Sequence, residues 1–196
     1  MTHLGTVRLE TERLVLRRFV NSDVEDMYGS WCSDPKVTTY MTWQPHGDIS
    51  VTREYLLGIL RDYDREDCYH WAIELKESGR VVGSIGVGRH NDAPRSVTIG
   101  YCLGSAWWNR GYMTEALRAL IQFFFEQVGA KRVEALHDPR NPGSGRVMQK
   151  AGMTYEGTLR QSGTNNQGIC DEAYYAILAC DYTQPCRGGI LAARNI

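Results

Sequence analysis

The sequence predicts a mixed α/β (α+β) domain, in which one mostly antiparallel sheet of about seven strands is flanked by helices. Three observations predict this class. Segments with a two-residue apolar period and segments with a helical period follow one another in the order β-α-α-β-β-β-α-β-α-β-β. The three central strands form a run with hairpin-like connections. A strand–helix–strand crossover follows them and adds further strands to the same sheet.

The first third of the chain predicts one strand and two helices. The segment Arg13–Phe19 alternates apolar and basic residues, as a half-buried strand does. Asn21 or Ser22 can cap the helix that follows. After a turn-rich segment with two prolines, a second helix begins near Ser50. The apolar faces of the two helices are formed by Val24, Met27, Tyr28 and Trp31, and by Leu56, Ile59, Leu60 and Tyr63.

The middle of the chain predicts the hairpin run. The segments Tyr69–Leu75 and Arg80–Gly88 flank the polar stretch KESG, which is typical of a hairpin turn. After the loop RHNDAPR, the segment Ser96–Gly104 predicts the third strand of the run. The apolar period then changes from two residues to the helical value.

The last third predicts two helices and three strands. A broad apolar stripe begins at Met113, and Gly129 can end that helix. A short helix from about Ser144 stops at Gly152. The predicted strands are Arg132–His137, which is apolar enough to be buried, and a closing pair, Thr154–Gln161 and Cys170–Tyr182, around the polar turn SGTNNQG.

Length and composition indicate a single domain over residues 1–182, followed by a tail over residues 183–196. Lys and Arg number 22 and Asp and Glu number 23, which gives a net charge of −1 and argues against a nucleic-acid-binding or membrane-surface protein. The sequence has neither a membrane-spanning apolar run nor the apolar core of a signal peptide. We therefore expect a cytoplasmic protein, either a monomer or a homodimer.

The cysteines and histidines do not predict a metal site. None of the six cysteines is paired in a C-x-x-C motif, and the five histidines are not regularly spaced. We expect reduced, mostly buried thiols in a cytosolic chain of this size.

The stretch WWNRGYM, from Trp107 to Met113, predicts a site for an anion. It joins a strand to a helix through Gly111, and a helix start presents unpaired N–H groups and a positive dipole end. Arg110 adds a cation. The sequence has no P-loop motif, and its glycine-rich strand does not match a dinucleotide-binding fingerprint. The alternative interpretation is that Gly111 only permits a tight turn.

A second polar cluster follows the next strand. In NPGSGRVMQKAGM, Asn141 and Ser144 lie three residues apart at the start of a helix. This helix should begin beside the first one, at the same edge of the sheet. Asn141 offers an amide and Ser144 a hydroxyl. The alternative is structural, with Ser144 as a helix cap and Asn141-Pro142 as a turn.

Together these segments resemble the GNAT superfamily of N-acetyltransferases, in its RimJ/RimL branch of ribosomal-protein N-terminal acetyltransferases. The resemblance covers nearly the whole chain. The motifs that carry it are ETERLVLR, IGYCLGSAWWNRGYMTEAL and NPGSGRVMQKAGM. It implies a GNAT-like fold and transfer of an acetyl group from acetyl-CoA to a primary amine, by direct attack in a ternary complex. The acceptor would be a peptide N-terminus or a small molecule.

The resemblance also implies a role for individual residues. Asn141 would bind the pantetheine arm, and Ser144 would lie near the sulfur as the candidate acid. The strand Thr98–Leu103 would pair with the same arm through its backbone and so contribute Tyr101, Cys102 and Leu103. The N–H groups that would hold the pyrophosphate belong to Asn109, Arg110, Gly111, Tyr112, Met113 and Thr114.

Several positions depart from the family pattern. A tyrosine that often protonates the leaving thiolate is replaced by Met148. Two positions at which relatives carry a catalytic glutamate hold Thr98 and Gly163. Because no glutamate base occupies either position, the sequence favours an acceptor amine of low pKa. At pH 7.5 roughly a quarter to two-fifths of an α-amine is neutral, against about 0.1 % of a lysine side chain.

Other residues are candidates for the acceptor site. His46 is a candidate base, with Trp43 and Gln44 as neighbours in a segment that borders the acceptor site in this family. A solvated histidine in a turn is the alternative. Asp171 and Glu172 can attract a cationic acceptor, and strand alternation lets only one of them face the site. Two other functions stay open: a coenzyme A-binding sensor or interaction domain without catalysis, and an acyltransferase with a longer acyl donor.

Overall fold

The computed structural model describes residues 1–182, so the predicted tail and Cys186 lie outside the described residues. It confirms the predicted fold class. Eight strands form one sheet in the order β1-β2-β3-β4-β5-β6-β8-β7. The strands are β1 (Leu9–Glu10), β2 (Leu14–Arg17), β3 (His70–Leu75), β4 (Val81–Asn91), β5 (Ser96–Leu103), β6 (Arg132–His137), β7 (Thr154–Asn165) and β8 (Gly168–Leu178). The additional strand is β1, which has two residues and is too short to show an alternating pattern.

The described α-helices are α1 (Val24–Met27), α2 (Pro35–Thr38), α3 (Ile49–Asp62), α4 (Tyr112–Phe123) and α5 (Pro142–Lys150). The long predicted helix is confirmed as α4, which continues as a π-helix over Phe124–Val128 and ends at Gly129. The expected cap of the first helix is wrong. A 3-10 turn over Asn21–Asp23 precedes α1, neither Asn21 nor Ser22 caps it, and the Asp23 carboxylate accepts from the Val20 N–H at 2.8 Å.

The short helix α5 also differs from the prediction. It begins at Pro142, two residues before Ser144, and its N-cap is Asn141. The Asn141 side chain accepts from the Ser144 N–H at 3.4 Å. Proline is well suited to the first position of a helix because its missing N–H has no partner there. The structural interpretation of Ser144 as the helix cap is therefore wrong.

The sheet divides between β5 and β6. These strands are parallel neighbours, yet they pair only where Ser96–Thr98 meets Arg132–Glu134. All other neighbouring strands are antiparallel. From Ile99 onward, β5 pairs with β4 alone among the described residues. A gap therefore opens between β5 and β6 toward their carboxyl ends, where α4 and α5 begin.

Two apolar clusters cover the two faces of the sheet. The larger cluster packs α4 and part of α5 against the strands, with Trp71, Phe123 and Phe124 fully buried. The smaller one packs α1 and α3 on the other face around Trp31 and Leu56. Both faces of the central strands are thus buried, which fixes the positions of their carboxyl ends.

Two general predictions can be compared with the described residues. Their five cysteines are free, but only Cys32 and Cys170 are buried, so the prediction of mostly buried thiols is wrong for this part of the chain. Within residues 1–182, no helix combines the length and the apolar character that a membrane crossing requires.

Candidate active site

The turn before α4 presents an uninterrupted row of free backbone donors. None of the six N–H groups from Asn109 to Thr114 has a hydrogen-bond acceptor among the described residues. Asn109 and Gly111 have positive φ angles, 61° and 83°, on either side of Arg110. This backbone geometry turns successive N–H groups toward the same side, as in anion-binding nests. The start of α4 adds the positive end of its dipole.

The two tryptophans that precede the turn hold it against the sheet. The Trp108 indole donates to the Leu103 carbonyl at 2.7 Å, at the end of β5. The Trp107 ring packs on Gly104, where an added Cβ would lie 2.7 Å from the ring. These contacts account for the unusual WW pair, because they fix the turn without using its N–H groups.

Arg13 clamps the same turn from the start of β2. Its guanidinium donates to the Glu115 carboxylate at 2.7 Å and to the Arg110 carbonyl at 3.0 Å. It also lies over the Tyr112 ring, 4.6 Å from the centroid. Thr11 donates to the same Glu115 carboxylate at 2.6 Å. The ETERL segment, which the sequence marks without giving it a role, therefore braces this turn. We call residues 109–114 the anion turn, after the anion site that the sequence predicts there.

The first turn of α5 lies across the gap from β5. Tyr101 extends from β5, and its hydroxyl lies 3.0 Å from Ser144 Oγ and 3.1 Å from the Ser144 carbonyl oxygen. Asn141 caps the helix beside it. The structure thus brings Tyr101, Asn141 and Ser144 together at the gap. Met148, one turn further along α5, is 1 % exposed and belongs to the larger core cluster.

The other residues predicted to bind the cofactor differ in burial, and therefore in whether their side chains or only their backbones are accessible. Met113 is buried in the larger core cluster, and Tyr112 is buried beneath Arg13, so each offers only its backbone. Burial raises the pKa of the Cys102 thiol to about 12, which keeps it protonated. Asn109 and Arg110 are exposed.

A groove of about 940 Å³ extends from the anion turn along α4 toward the end of α5. Gly111 and Thr114 line one end of it, and Arg118 and Lys150 line it further along. Arg118 donates to the Lys150 carbonyl, which joins the two helices at the groove. The sequence gives no separate signal for these two basic residues, because they are distant in the chain.

A second cleft, of about 620 Å³, lies on the α3 side of the sheet. Trp43, Tyr55 and His70 line it together with Gly100 and Tyr101 of β5. Tyr101 therefore borders both the gap to α5 and this cleft.

The turn between β7 and β8 joins two other loops at this end of the molecule. Asn166 donates to the carbonyls of Thr38 and Trp43 at 2.8 and 2.7 Å, and its backbone N–H donates to Met41 at 3.0 Å. Its side-chain oxygen accepts from Gln44 at 2.7 Å. We call residues 165–167 the hairpin tip. Residues 38–44, which the family resemblance leads us to expect at the border of the acceptor site, are called the acceptor segment.

The other contact of the hairpin tip is with the loop before α5. Asn165 donates to the Asp138 carboxylate at 2.8 Å. Arg140 also binds this carboxylate, and these hydrogen bonds lower the pKa of Asp138 to about 2. The tip thus links the acceptor segment to the loop that carries Asn141.

His46 lies behind the cleft and not among the residues that line it. Its ring packs on Trp43 and Tyr55, at centroid distances of 5.3 and 6.1 Å, and Nδ1 is 2.8 Å from Thr52 Oγ1. Burial lowers the pKa of His46. His70 and His90 both line the cleft. Burial lowers the pKa of His70 to about 4, and its Nε2 lies 3.0 Å from Ser84 Oγ.

The two acidic candidates on β8 make different contacts. Asp171 accepts from the Gln161 N–H at 2.8 Å and so stabilises the bulged β7–β8 pairing. Glu172 accepts from Ser162 Oγ at 2.8 Å and makes no ion pair within residues 1–182. A Cβ at Gly163 would lie 2.5 Å from the Glu172 carboxylate, so this carboxylate fills the space beside Gly163.

Thr98 also has a carboxylate beside it. Its hydroxyl donates to Glu134 at 2.8 Å, across the paired part of β5 and β6. Arg132 donates to the same carboxylate at 2.8 Å, and the pKa of Glu134 is lowered by these bonds although burial opposes them. A carboxylate held in this way is a weak base.

The absence of a metal site stays a prediction. His3, His90 and Asp92 can place three ligand atoms within 4.8 Å of one another at the end of β4. Within this group, His3 Nε2 and Asp92 already form an ion pair at 3.0 Å.

Known proteins resemble this chain over most of its length. Residues 13–154 match the family model described as an acetyltransferase (GNAT) domain. A Bacillus licheniformis protein named as an uncharacterized N-acetyltransferase, p20, is 30 % identical over 175 residues, which are 89 % of this chain and 97 % of that protein.

Solved structures agree with this assignment. A GNAT-family acetyltransferase from Bacillus anthracis is 26 % identical, with a TM-score of 0.77 over 88 % of this chain and 99 % of that one. The ribosomal L7/L12 α-N-protein acetyltransferase RimL, in complex with coenzyme A, has the same fold, with 20 % identity and a TM-score of 0.77 over 88 % of this chain and 97 % of that one. The match of the family model and the 30 % identity to p20 together establish that the chain belongs to the GNAT family of acetyltransferases.

Proposed function

We propose that the protein transfers an acetyl group from acetyl-CoA to the α-amine of a peptide, or to another primary amine of low pKa. The observation that carries this proposal is the row of free N–H groups from Asn109 to Thr114 at the mouth of the gap. Such a row fits a pyrophosphate, which offers several acceptor oxygens and a negative charge.

The residues around the gap fit the rest of acetyl-CoA. The backbone of β5 from Ile99 to Leu103 has no strand neighbour on its β6 side among the described residues, so it can pair with the amides of a pantetheine arm. Asn141 would bind the same arm. Arg118 and Lys150 line the adjoining groove and would favour the remaining phosphate. RimL, which shares the fold, was solved with coenzyme A.

Acetyl-CoA supplies an activated thioester, and the chain must orient the amine and stabilise the leaving sulfur. The amine attacks the thioester carbon, the carbon–nitrogen bond forms, and the carbon–sulfur bond breaks. The sulfur leaves with the electron pair, and the proton of the new ammonium group passes to solvent. Ser144 would donate its hydroxyl hydrogen toward the sulfur, and Asn141 would mainly hold the arm in place.

The acceptor would enter the 620 Å³ cleft beside Tyr101. Glu172, which has no cationic partner among the described residues, would attract an ammonium group toward it, whereas Asp171 is occupied by a backbone N–H. Two of the nearby titratable side chains are poor bases at neutral pH, since burial lowers the pKa of His70 to about 4 and Glu134 is bound by Arg132. An acceptor that is already partly neutral suits such a site. The name of RimL describes an α-N-protein acetyltransferase, which supports this class of acceptor.

Release of free thiol from acetyl-CoA in the presence of a peptide with an unblocked N-terminus tests the proposal. We expect release that depends on the peptide. Binding of coenzyme A without release for any peptide or small amine would identify a sensor domain instead. Faster release from a longer acyl donor would identify a different acyltransferase.

A further inference from the structure

Tyr101 is the one side chain of β5 that crosses the gap to α5 and contacts Ser144 within residues 1–182. Its ring packs against the larger core cluster, and its hydroxyl lies 3.0 Å from Ser144 Oγ and 3.1 Å from the Ser144 carbonyl oxygen. The ring is thus fixed by packing, while the hydroxyl has two neighbours on the same residue. Neither Asn141 nor Met148 makes a hydrogen bond to it.

Two hydrogen-bond arrangements fit these distances. In the first, Tyr101 donates to the Ser144 carbonyl, and the Ser144 hydroxyl donates back to Tyr101. In the second, Tyr101 donates to Ser144 Oγ, and the Ser144 hydrogen is free for a third partner. A hydroxyl has one hydrogen and can accept two hydrogen bonds, so only the second arrangement lets Ser144 donate elsewhere.

A leaving thiolate would select the second arrangement. Negative charge on the sulfur attracts the Ser144 hydrogen, and this polarises Ser144 Oγ into a better acceptor for the Tyr101 hydroxyl. Hydrogen bonds to a charged group are roughly twice as strong as those between neutral groups. The two bonds therefore strengthen each other as the carbon–sulfur bond breaks.

We propose that Tyr101 is a positioning residue that turns the Ser144 hydroxyl hydrogen toward the leaving sulfur. This inference rests on the place of Ser144 in the proposed function. No proton leaves Tyr101 in this step.

The charge balance supports a hydrogen bond without proton transfer. An ordinary thiol has a pKa of about 8.5 and a phenol about 10. Burial raises the pKa of Tyr101 well above its ordinary value, so a thiolate cannot remove its proton at neutral pH. The phenol therefore stays a permanent donor throughout the reaction.

The test compares the wild type with Tyr101→Phe, which keeps the ring and removes only the hydroxyl. The first measurement is the pKa of the thiol of bound coenzyme A. A pH titration gives this value, with the ultraviolet absorption of the thiolate as the signal. We expect this pKa to be about one unit higher in the variant, because the thiolate loses an oriented donor. Equal values in the two proteins would contradict the role of Tyr101. A wild type that does not bind coenzyme A would instead contradict the proposed function.

The second measurement is a double-mutant cycle on acetyl transfer. Tyr101→Phe should lower kcat roughly tenfold and change the KM for acetyl-CoA much less. In a Ser144→Ala background the same change should have no further effect on kcat, because no hydroxyl remains to be oriented. Additive effects of the two substitutions would overturn the inference. They would mean that Tyr101 acts only through packing.

Tyr175→Phe is the matched control. Tyr175 is a buried tyrosine whose hydroxyl contacts Gln149 of α5 at 3.2 Å rather than Ser144. The control should keep the bound thiol pKa and kcat of the wild type. If Tyr175→Phe lowered kcat as much as Tyr101→Phe does, both losses of kcat would come from altered packing of α5, and the inference would be wrong.

Discussion

The two halves of the proposed site are built in different ways. The donor half consists of the anion turn, the open edge of β5 and the start of α5. It relies on backbone groups, with six free N–H groups in one continuous segment. The acceptor half consists of the cleft, the acceptor segment and the hairpin tip. It relies on side chains that meet from distant parts of the chain, such as Asn166 and Gln44, which are 122 residues apart.

This difference determines which residues of each half can be substituted without loss of binding. Every residue except proline has a backbone N–H, so Met113 can contribute its donor without any role for its side chain. The acceptor half has no such protection, because it depends on the side chain of Asn166, which donates to the carbonyls of Thr38 and Trp43 and accepts from Gln44. We therefore expect donor binding to depend on a few backbone-critical residues and acceptor binding to depend on the loops.

The largest effect is expected at Gly111, where a substitution attacks the donor half alone. Gly111→Asp places a carboxylate at the anion turn, and its φ of 83° disfavours most side chains. Repulsion between this carboxylate and a pyrophosphate should weaken acetyl-CoA binding by roughly 100-fold or more. Calorimetric titration with acetyl-CoA measures the change.

Gly111→Asn is the control for that substitution. Asparagine has nearly the same shape, tolerates positive φ and carries no charge. Equal affinities of the Asp and Asn variants would show that the turn does not hold an anion.

A smaller effect is expected at Asn166, which breaks the acceptor half alone. Asn166→Ala removes three side-chain hydrogen bonds between the hairpin tip and the acceptor segment. Each such bond contributes on the order of 1 kcal/mol, and if about half of the total is lost from acceptor binding, the acceptor KM should rise roughly tenfold. The affinity for acetyl-CoA should stay within about twofold of the wild type, since the donor half is untouched.

Gln167→Ala is a neighbouring control on the hairpin tip. The Gln167 side chain is exposed and makes no hydrogen bond among the described residues. It should leave both constants unchanged. If Asn166→Ala weakened acetyl-CoA binding as much as acceptor binding, the division of the site into two halves would be wrong.

The smallest effect on activity is expected at His46. It tests whether this histidine belongs to the acceptor half as a base. His46→Gln keeps a hydrogen-bonding group near Thr52 and removes the imidazole. Because the ring lies behind Trp43, we expect kcat/KM to change less than about threefold at neutral pH.

The pH profile gives the matching check. Burial lowers the pKa of His46, so a catalytic His46 would be neutral and active above a pKa that lies below 6.5. The rate would then rise with pH through that lowered pKa and level off at neutral pH. We expect the rise to follow the pKa of the acceptor amine, in both the wild type and His46→Gln. A rise centred below 6.5 that the variant loses would make His46 the base.

The sequence predicts the donor half better than the acceptor half for the same physical reason. The turn, the helix start and the Asn141–Ser144 pair are each local in sequence, so their patterns can be recognised within one segment. The bond between Tyr101 and Ser144 joins residues 43 positions apart, and the clamp of Arg13 on Glu115 joins residues 102 apart. Such contacts depend on strand order and on the place where β5 and β6 separate.

The same limit applies to the fold. Periodicity predicts the long elements, and Arg132–His137 has the predicted bounds. It misses β1, which consists of two residues paired with β2. Periodicity also fails to give the start of the first helix. No side chain caps this helix, and the Asp23 carboxylate accepts a hydrogen bond from the Val20 N–H instead. β7 extends beyond its predicted end to Asn165, and β8 begins at Gly168 instead of Cys170, because their pairing continues through a bulge into the polar turn. The predicted end of β8 at Tyr182 is wrong, since the strand ends at Leu178.

The most direct test of the account compares two peptides of the same sequence. One has a free α-amine and no lysine, and the other is blocked at its N-terminus and offers one lysine. Thiol release from acetyl-CoA, expressed as kcat/KM at pH 7.5, is measured for both with the wild-type protein. The account predicts the higher value for the free α-amine, because far more of it is neutral at this pH. A higher value for the blocked, lysine-bearing peptide would contradict the account and would require a strong base in the acceptor half.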